Sequence, residues 1–113
     1  MPARRECLPS EDRDAYVASR RKSGINEVAV RLTERYIDEF LRFCDEEYGY
    51  SDAKKITAKG ITAYAAAQKK QGILKQTKRV KIREVLNWLE WLTEQKRLDK
   101  NPGADLETSE LVP

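Results

Sequence analysis

Apolar side chains recur every three or four residues along three stretches of this chain. In INEVAVRLTERYIDEFLRFCDEEYGY, residues 25–50, Val30, Thr33, Ile37, Phe40, Leu41 and Cys44 keep that spacing, which stacks them on one face of an α-helix. The helix is expected from about Asn26 to Glu47, with Asn26 as N-cap and the Tyr-Gly-Tyr of residues 48–50 as its stop. A second helix is expected in TAKGITAYAAAQKKQG, residues 57–72, which opens on a capping Thr57, runs through alanines and closes at Gly72. Its stripe of Ile61, Tyr64, Ala65 and Gln68 is thin and small enough for a neighbouring helix to approach closely, while Gly60 costs its first turn about 1 kcal/mol relative to alanine. The third helix, from about Lys75 to Lys96, carries Ile82, Val85, Leu86, Leu89 and Leu92 as one apolar arc. Trp88 flanks that arc and Trp91 lies further round. Asn101 is driven out of helical geometry by Pro102, with Gly103 following, so helix and core are expected to end near Leu98.

The flanks are less periodic. Residues 1–24 hold Pro2, Pro9, a capping candidate at Ser10, the acids from Glu11 to Asp14, then Arg20, Arg21, Lys22 and Gly24. They read as an N-terminal arm with a short helix over about 11–21. Residues 25–103 form the helical domain, and 104–113 read as a linker or tail. No alternating strand pattern and no internal repeat is present. The expected fold is all-α, a small bundle of three long helices plus one or two short ones. A chain of 113 residues supports one domain of this kind, and 40% hydrophobic residues with nine aromatics fill a modest core. No run is long and apolar enough for a membrane span or a signal peptide, so a cytoplasmic protein is expected. Cys44 falls on an apolar helix face, which favours a buried thiol over a disulfide with Cys7.

The absence of histidine removes the usual general base and the commonest metal ligand. The five glycines are scattered singly, so no phosphate-cradling loop exists. Asp45, Glu46 and Glu47 read as solvated charge at a helix end. No catalytic constellation, metal site or cofactor site emerges.

Charge does carry a signal once it is resolved along the chain. The formal net charge of +3 divides unevenly: from Ala53 to Arg83 there are ten bases and no acid, while the remaining 12 bases and 19 acids give −7. Exposed helix faces ordinarily mix the two signs. A block of ten bases instead suits neutralisation of phosphates with counterion release. Thr57, Lys59, Thr77, Lys78, Lys81 and Arg83 fall near the expected N-termini of two helices, where backbone N–H groups and the helix dipole favour anions. Arg79 and Arg83 have the reach to address a guanine edge. For Thr57 and Thr77, plain helix capping is an equally good reading. Trp88 is expected in the core rather than stacked on a base.

In order, a helix ending in FLRF, the stretch KITAKGITAYAAAQKKQG, Thr77 shortly after Gly72, and VLNWLEWLTEQKRLDKNP with its Leu98-x-x-Asn101-Pro102 close resemble the N-terminal SAM-like, or core-binding, domain of phage integrases and other tyrosine recombinases. The resemblance covers about residues 25–103. It implies a helical bundle that closes over one face of duplex DNA near a crossover site, opposite a separate catalytic domain of the same recombinase, with further recombinase subunits beside it. It also implies that Lys59, Thr77, Lys78, Lys81 and Arg83 are DNA contacts, to which Lys75 and Arg79 of the same basic block are added, and the charge pattern places the end of the contact near Glu84, the first acid after Asp52. The family's catalytic tyrosine and its partners lie in the other domain, so none of the five tyrosines here is nominated and this chain alone is expected to break no bond. Two other readings stay open: a helical module that meets an acidic protein or RNA through the basic block, and a helix-turn-helix regulator, against which the length of the third helix argues.

Overall fold

The computed structural model describes residues 9–49 and 53–112. Five α-helices, α1 (Pro9–Lys22), α2 (Glu27–Tyr48), α3 (Ala58–Lys70), α4 (Lys75–Glu94) and α5 (Thr108–Leu111), follow in order, with a 3-10 turn over Ala53–Lys55 between α2 and α3. The described residues contain no strand. Cys7, Tyr50 and Asp52 lie outside them.

α2 starts where expected, because the Asn26 side chain accepts a hydrogen bond from the Val28 N–H at 2.8 Å. Val30, Thr33, Ile37, Phe40 and Cys44 are its buried face. α3 is capped by Thr57, whose hydroxyl accepts from the Gly60 N–H at 3.1 Å, and it buries Gly60, Ile61, Tyr64, Ala65 and Gln68. Gly72 ends it with φ +74. In that left-handed conformation the Gly72 N–H bonds the Lys69 carbonyl and the Ile73 N–H bonds the Gln68 carbonyl, at 3.1 and 3.3 Å, the paired bonds of a Schellman motif. α4 is the centre of the bundle, with Ile82, Val85, Trp88, Leu89 and Leu92 fully buried. Trp88 thus lies in the core, as expected, and belongs to the apolar arc itself. Phe40 meets Tyr64 edge-on at 5.1 Å, which joins α2 to α3.

The arm at the N-terminus is part of the bundle. α1 begins at Pro9, one residue before the capping candidate, as suits a residue that has no N–H to leave unpaired. It buries Asp12, Tyr16 and Val17, and Tyr16 packs on Trp91 at 5.4 Å. Asp12 is fully buried. Its carboxylate accepts from the Arg97 guanidinium at 2.9 Å and its backbone carbonyl accepts from the Trp88 indole N–H at 3.3 Å. Arg97 reaches it because α4 also ends in a Schellman motif, with Lys96 at φ 61 and the Arg97 N–H on the Leu92 carbonyl at 2.8 Å.

The C-terminal segment likewise folds back. Residues 104–112, expected as linker or tail, make a turn and the short α5, and Val112 is 3% exposed within the core cluster. The turn is set by the Asn101 side chain, which accepts from the Gly103 N–H at 2.8 Å. The sequence pattern understated this segment because Leu106, Leu111 and Val112 are too few and too widely spaced to form a stripe.

Two outcomes follow from this packing. Asp12→Ala removes the partner of a guanidinium that is only partly exposed, and it should cost about 2 kcal/mol in urea unfolding, with Asp12→Ala/Arg97→Met recovering part of the loss. Stability should also fall with alkali. Burial pushes the Cys44 thiol up to about 12 from 9.0 and raises the Tyr16 and Tyr64 phenols above 10.0. The unfolded chain then sheds these protons first, so the stabilisation is complete below about pH 9 and is lost as pH rises beyond it, which denaturant titrations at pH 8 to 11 would register.

Candidate nucleic-acid interface

The acid-free block folds into two outward faces joined by a short loop. On α3, the positions opposite the buried stripe are Lys59, Thr62, Ala66, Lys69 and Lys70, all exposed. On α4, Lys75, Arg79 and Arg83 succeed each other every fourth residue and are exposed as well, one stripe turned away from the core. Lys70 and Lys75 flank the loop of residues 71–74. At a rise of about 1.5 Å per residue, Lys59 stands about 16 Å along α3 from Lys70, and Lys75 about 12 Å along α4 from Arg83.

These bases differ electrostatically from most of the arginines elsewhere, although Arg20, Lys22, Lys96 and Lys100 outside the block also make no ion pair with a described residue. Arg13, Arg21, Arg31, Arg35, Arg42 and Arg97 each pair with a carboxylate. Lys55, Lys59, Lys69, Lys70, Lys75, Lys78 and Arg83 make no ion pair with any described residue. The cause lies in the sequence: an exposed helical base normally finds its acid three or four residues away, and no acid is present between Ala53 and Arg83.

Not every expected contact stands on these faces. Lys81 is 12% exposed, its ammonium 2.8 Å from a Glu39 carboxylate oxygen and 5.5 Å from the centre of the Tyr36 ring. It ties α4 to α2. The signal for this was present, since Lys81 precedes Val85 by four residues, Trp88 by seven and Leu92 by eleven, which places it on the buried stripe. Lys78 and Thr77 are half-buried on the inward-leaning side of the first turns. Arg79 donates from Nε to the Val112 carbonyl at 3.3 Å, a contact invisible to sequence reading because it depends on the fold-back of the C-terminal segment. The two helix N-termini do not converge: α4 begins where α3 ends, so Thr57 and Lys59 sit a helix length from the first turn of α4. Thr57 acts as a cap.

Among the described residues, no three His, Cys, Asp or Glu side chains come together as a metal site. Tyr16 and Tyr64 are moved by burial away from the easily ionised phenol a nucleophile needs. No helix among the described residues is long and apolar enough to cross a membrane. The arrangement can attract and seat a polyanion.

The fold and this surface define a small all-α bundle with one cationic side. No protein-family model matches the sequence, and no curated protein matches it either. Among solved structures, the fold is similar to that of the N-terminal domain of a phage integrase/site-specific recombinase from Haloarcula marismortui, with a TM-score of 0.76 at 20% identity, over 97% of this chain and 100% of that one. The two share a fold.

The difference between free and engaged bases is directly measurable. Amine acetylation followed by mass spectrometry should modify Lys59, Lys69, Lys70 and Lys75 rapidly and Lys81 at least about tenfold more slowly, because the Lys81 ammonium must first leave Glu39.

Proposed function

We propose that this chain is the DNA-gripping, core-binding domain of a phage-type integrase or tyrosine recombinase, which holds duplex DNA near a crossover site and leaves strand cleavage to a catalytic domain of the same recombinase. The observation that carries this reading is the set of exposed, uncompensated bases on α3 and α4, on a fold similar to that of an integrase N-terminal domain. Lys59, Lys75, Arg79 and Arg83 are the outward contacts, with Thr77 and Lys78 reaching phosphate from the edge of the first turn of α4. Lys81 serves by holding that turn on α2. The protein works beside DNA in the cytoplasm, without a cofactor, alongside other recombinase subunits.

Phosphate neutralisation makes affinity depend steeply on salt, with a slope in log Kd against log salt of about 0.9 per neutralised phosphate. Fluorescence anisotropy on a mixed-sequence duplex should therefore show binding that weakens by at least about tenfold between 50 and 200 mM salt. Lys75→Glu/Lys78→Glu should weaken binding and lower the slope by about 2 while the helical circular dichroism is retained. Lys81→Met should lower stability and leave the slope unchanged. Duplex affinity indifferent to salt, or to the double charge reversal, would remove the proposed face. A salt-sensitive complex with an acidic protein and no DNA binding at the same salt would favour an interaction module instead.

A further inference from the structure

Leu74 departs from two local rules at once. It is the N-cap of α4 and gives no side-chain cap hydrogen bond, at a position where Ser, Thr, Asp or Asn normally accepts a backbone N–H. The residue is also 76% exposed, more than Val28, Leu32 or Tyr48, the other large hydrophobics at the surface among the described residues. Backbone geometry does not call for leucine, because φ −57 and ψ 140 are open to any residue. Packing does not call for it either, since the chain turns into α4 with this side chain in water. Where a sequence breaks local rules without structural return, function is the place to look.

The surroundings of Leu74 narrow what it meets. Lys69 and Lys70 precede the loop, Lys75 and Lys78 follow it, and none of the four has a carboxylate partner among the described residues. By contrast, Val28 and Leu32 stand among the paired charges Arg21, Glu27 and Arg31, a neutral setting with no preference of sign. A lone exposed aliphatic side chain flanked along the chain by lysines on both sides is a poor fit for an apolar protein surface, which would strip water from neighbouring ammonium groups. It suits a surface that is anionic at its rim and carries isolated methyl groups within. The major groove of duplex DNA has that make-up: phosphates line its edges and each thymine presents a 5-methyl group on its floor.

We propose that Leu74 is a base-reading contact, its side chain lying against thymine methyl groups in the major groove while the flanking lysines hold phosphates. This deepens the DNA-binding reading and rests on it.

The test uses an alternating A·T duplex of about three helical turns, which presents thymine methyls at every register, and the same duplex with uracil in place of thymine. The wild-type protein should prefer the thymine duplex by about fourfold for each methyl buried. Leu74→Met should keep that preference. Leu74→Ser should lose it and bind both duplexes as wild type binds the uracil duplex, yet melt a few degrees higher because serine restores the cap. That opposition separates a reading role from a structural one. Equal binding of both duplexes by the wild type, or a thymine preference that survives Leu74→Ser, would overturn the role of Leu74 and leave the basic face standing. No binding of either duplex at low salt would overturn both.

Discussion

A carboxylate with no exposed surface holds the ends of this bundle together. Asp12 sits in α1, yet it accepts from Arg97 beyond the end of α4 and, through its carbonyl, from Trp88 in the middle of α4. Removing such a charge from water costs several kcal/mol unless a partner is brought to it. Arg97 is brought by Lys96, which accepts a left-handed conformation at about 1 kcal/mol so that the chain turns back on itself. The arrangement also sets register. Sliding α1 by one turn would strand the carboxylate in apolar surroundings and leave the indole N–H without an acceptor, and both penalties exceed what repacked methyl groups could return.

With the ends so fixed, charge divides between two parts of the surface. On α1 and α2, acids and bases alternate at helical spacing and pair with each other, as Glu27 with Arg31 and Asp38 with Arg42. On α3 and the start of α4 there is nothing to pair with, and the bases repel one another within the roughly 8 to 10 Å over which salt leaves charges visible. Glu39 relieves one member by reaching across from α2 to Lys81. The others keep a standing electrostatic cost in the free protein, which a polyanion would lift.

Much of this was legible beforehand, and the reasons for success and failure are physical. The faces of α2 and α3 followed from spacing alone, because nearly every residue on those stripes is apolar or small and each helix has a recognisable cap. α1 was harder to read, since its buried positions include Asp12, and a pattern search counts aspartate as surface. The seat of Val112 depends on a turn made by Asn101 and on contacts with residues far away in sequence, which no local period encodes. Among the basic residues the block itself was plain, but whether each side chain faced water was not. Lys81 occupies a core register with a lysine, and only the presence of Glu39 opposite explains how that position is filled.

Lys81 also changes how α4 divides its labour. Along the sequence the helix looks cationic at its start and apolar at its end, with a border at Glu84. In the folded chain the border runs along the helix instead of across it. The inward side passes from Leu92, Trp88 and Val85 up to the half-buried Lys81 and Lys78, of which Lys81 reaches Glu39 and Tyr36 of α2. The outward side carries Lys75, Arg79 and Arg83. Glu84 belongs to the inward side, half-buried, with its carboxylate accepting from the Thr33 hydroxyl of α2. Its charge is thus held against α2, and the acid that seemed to end the basic stretch leaves the outward stripe positive as far as Arg83.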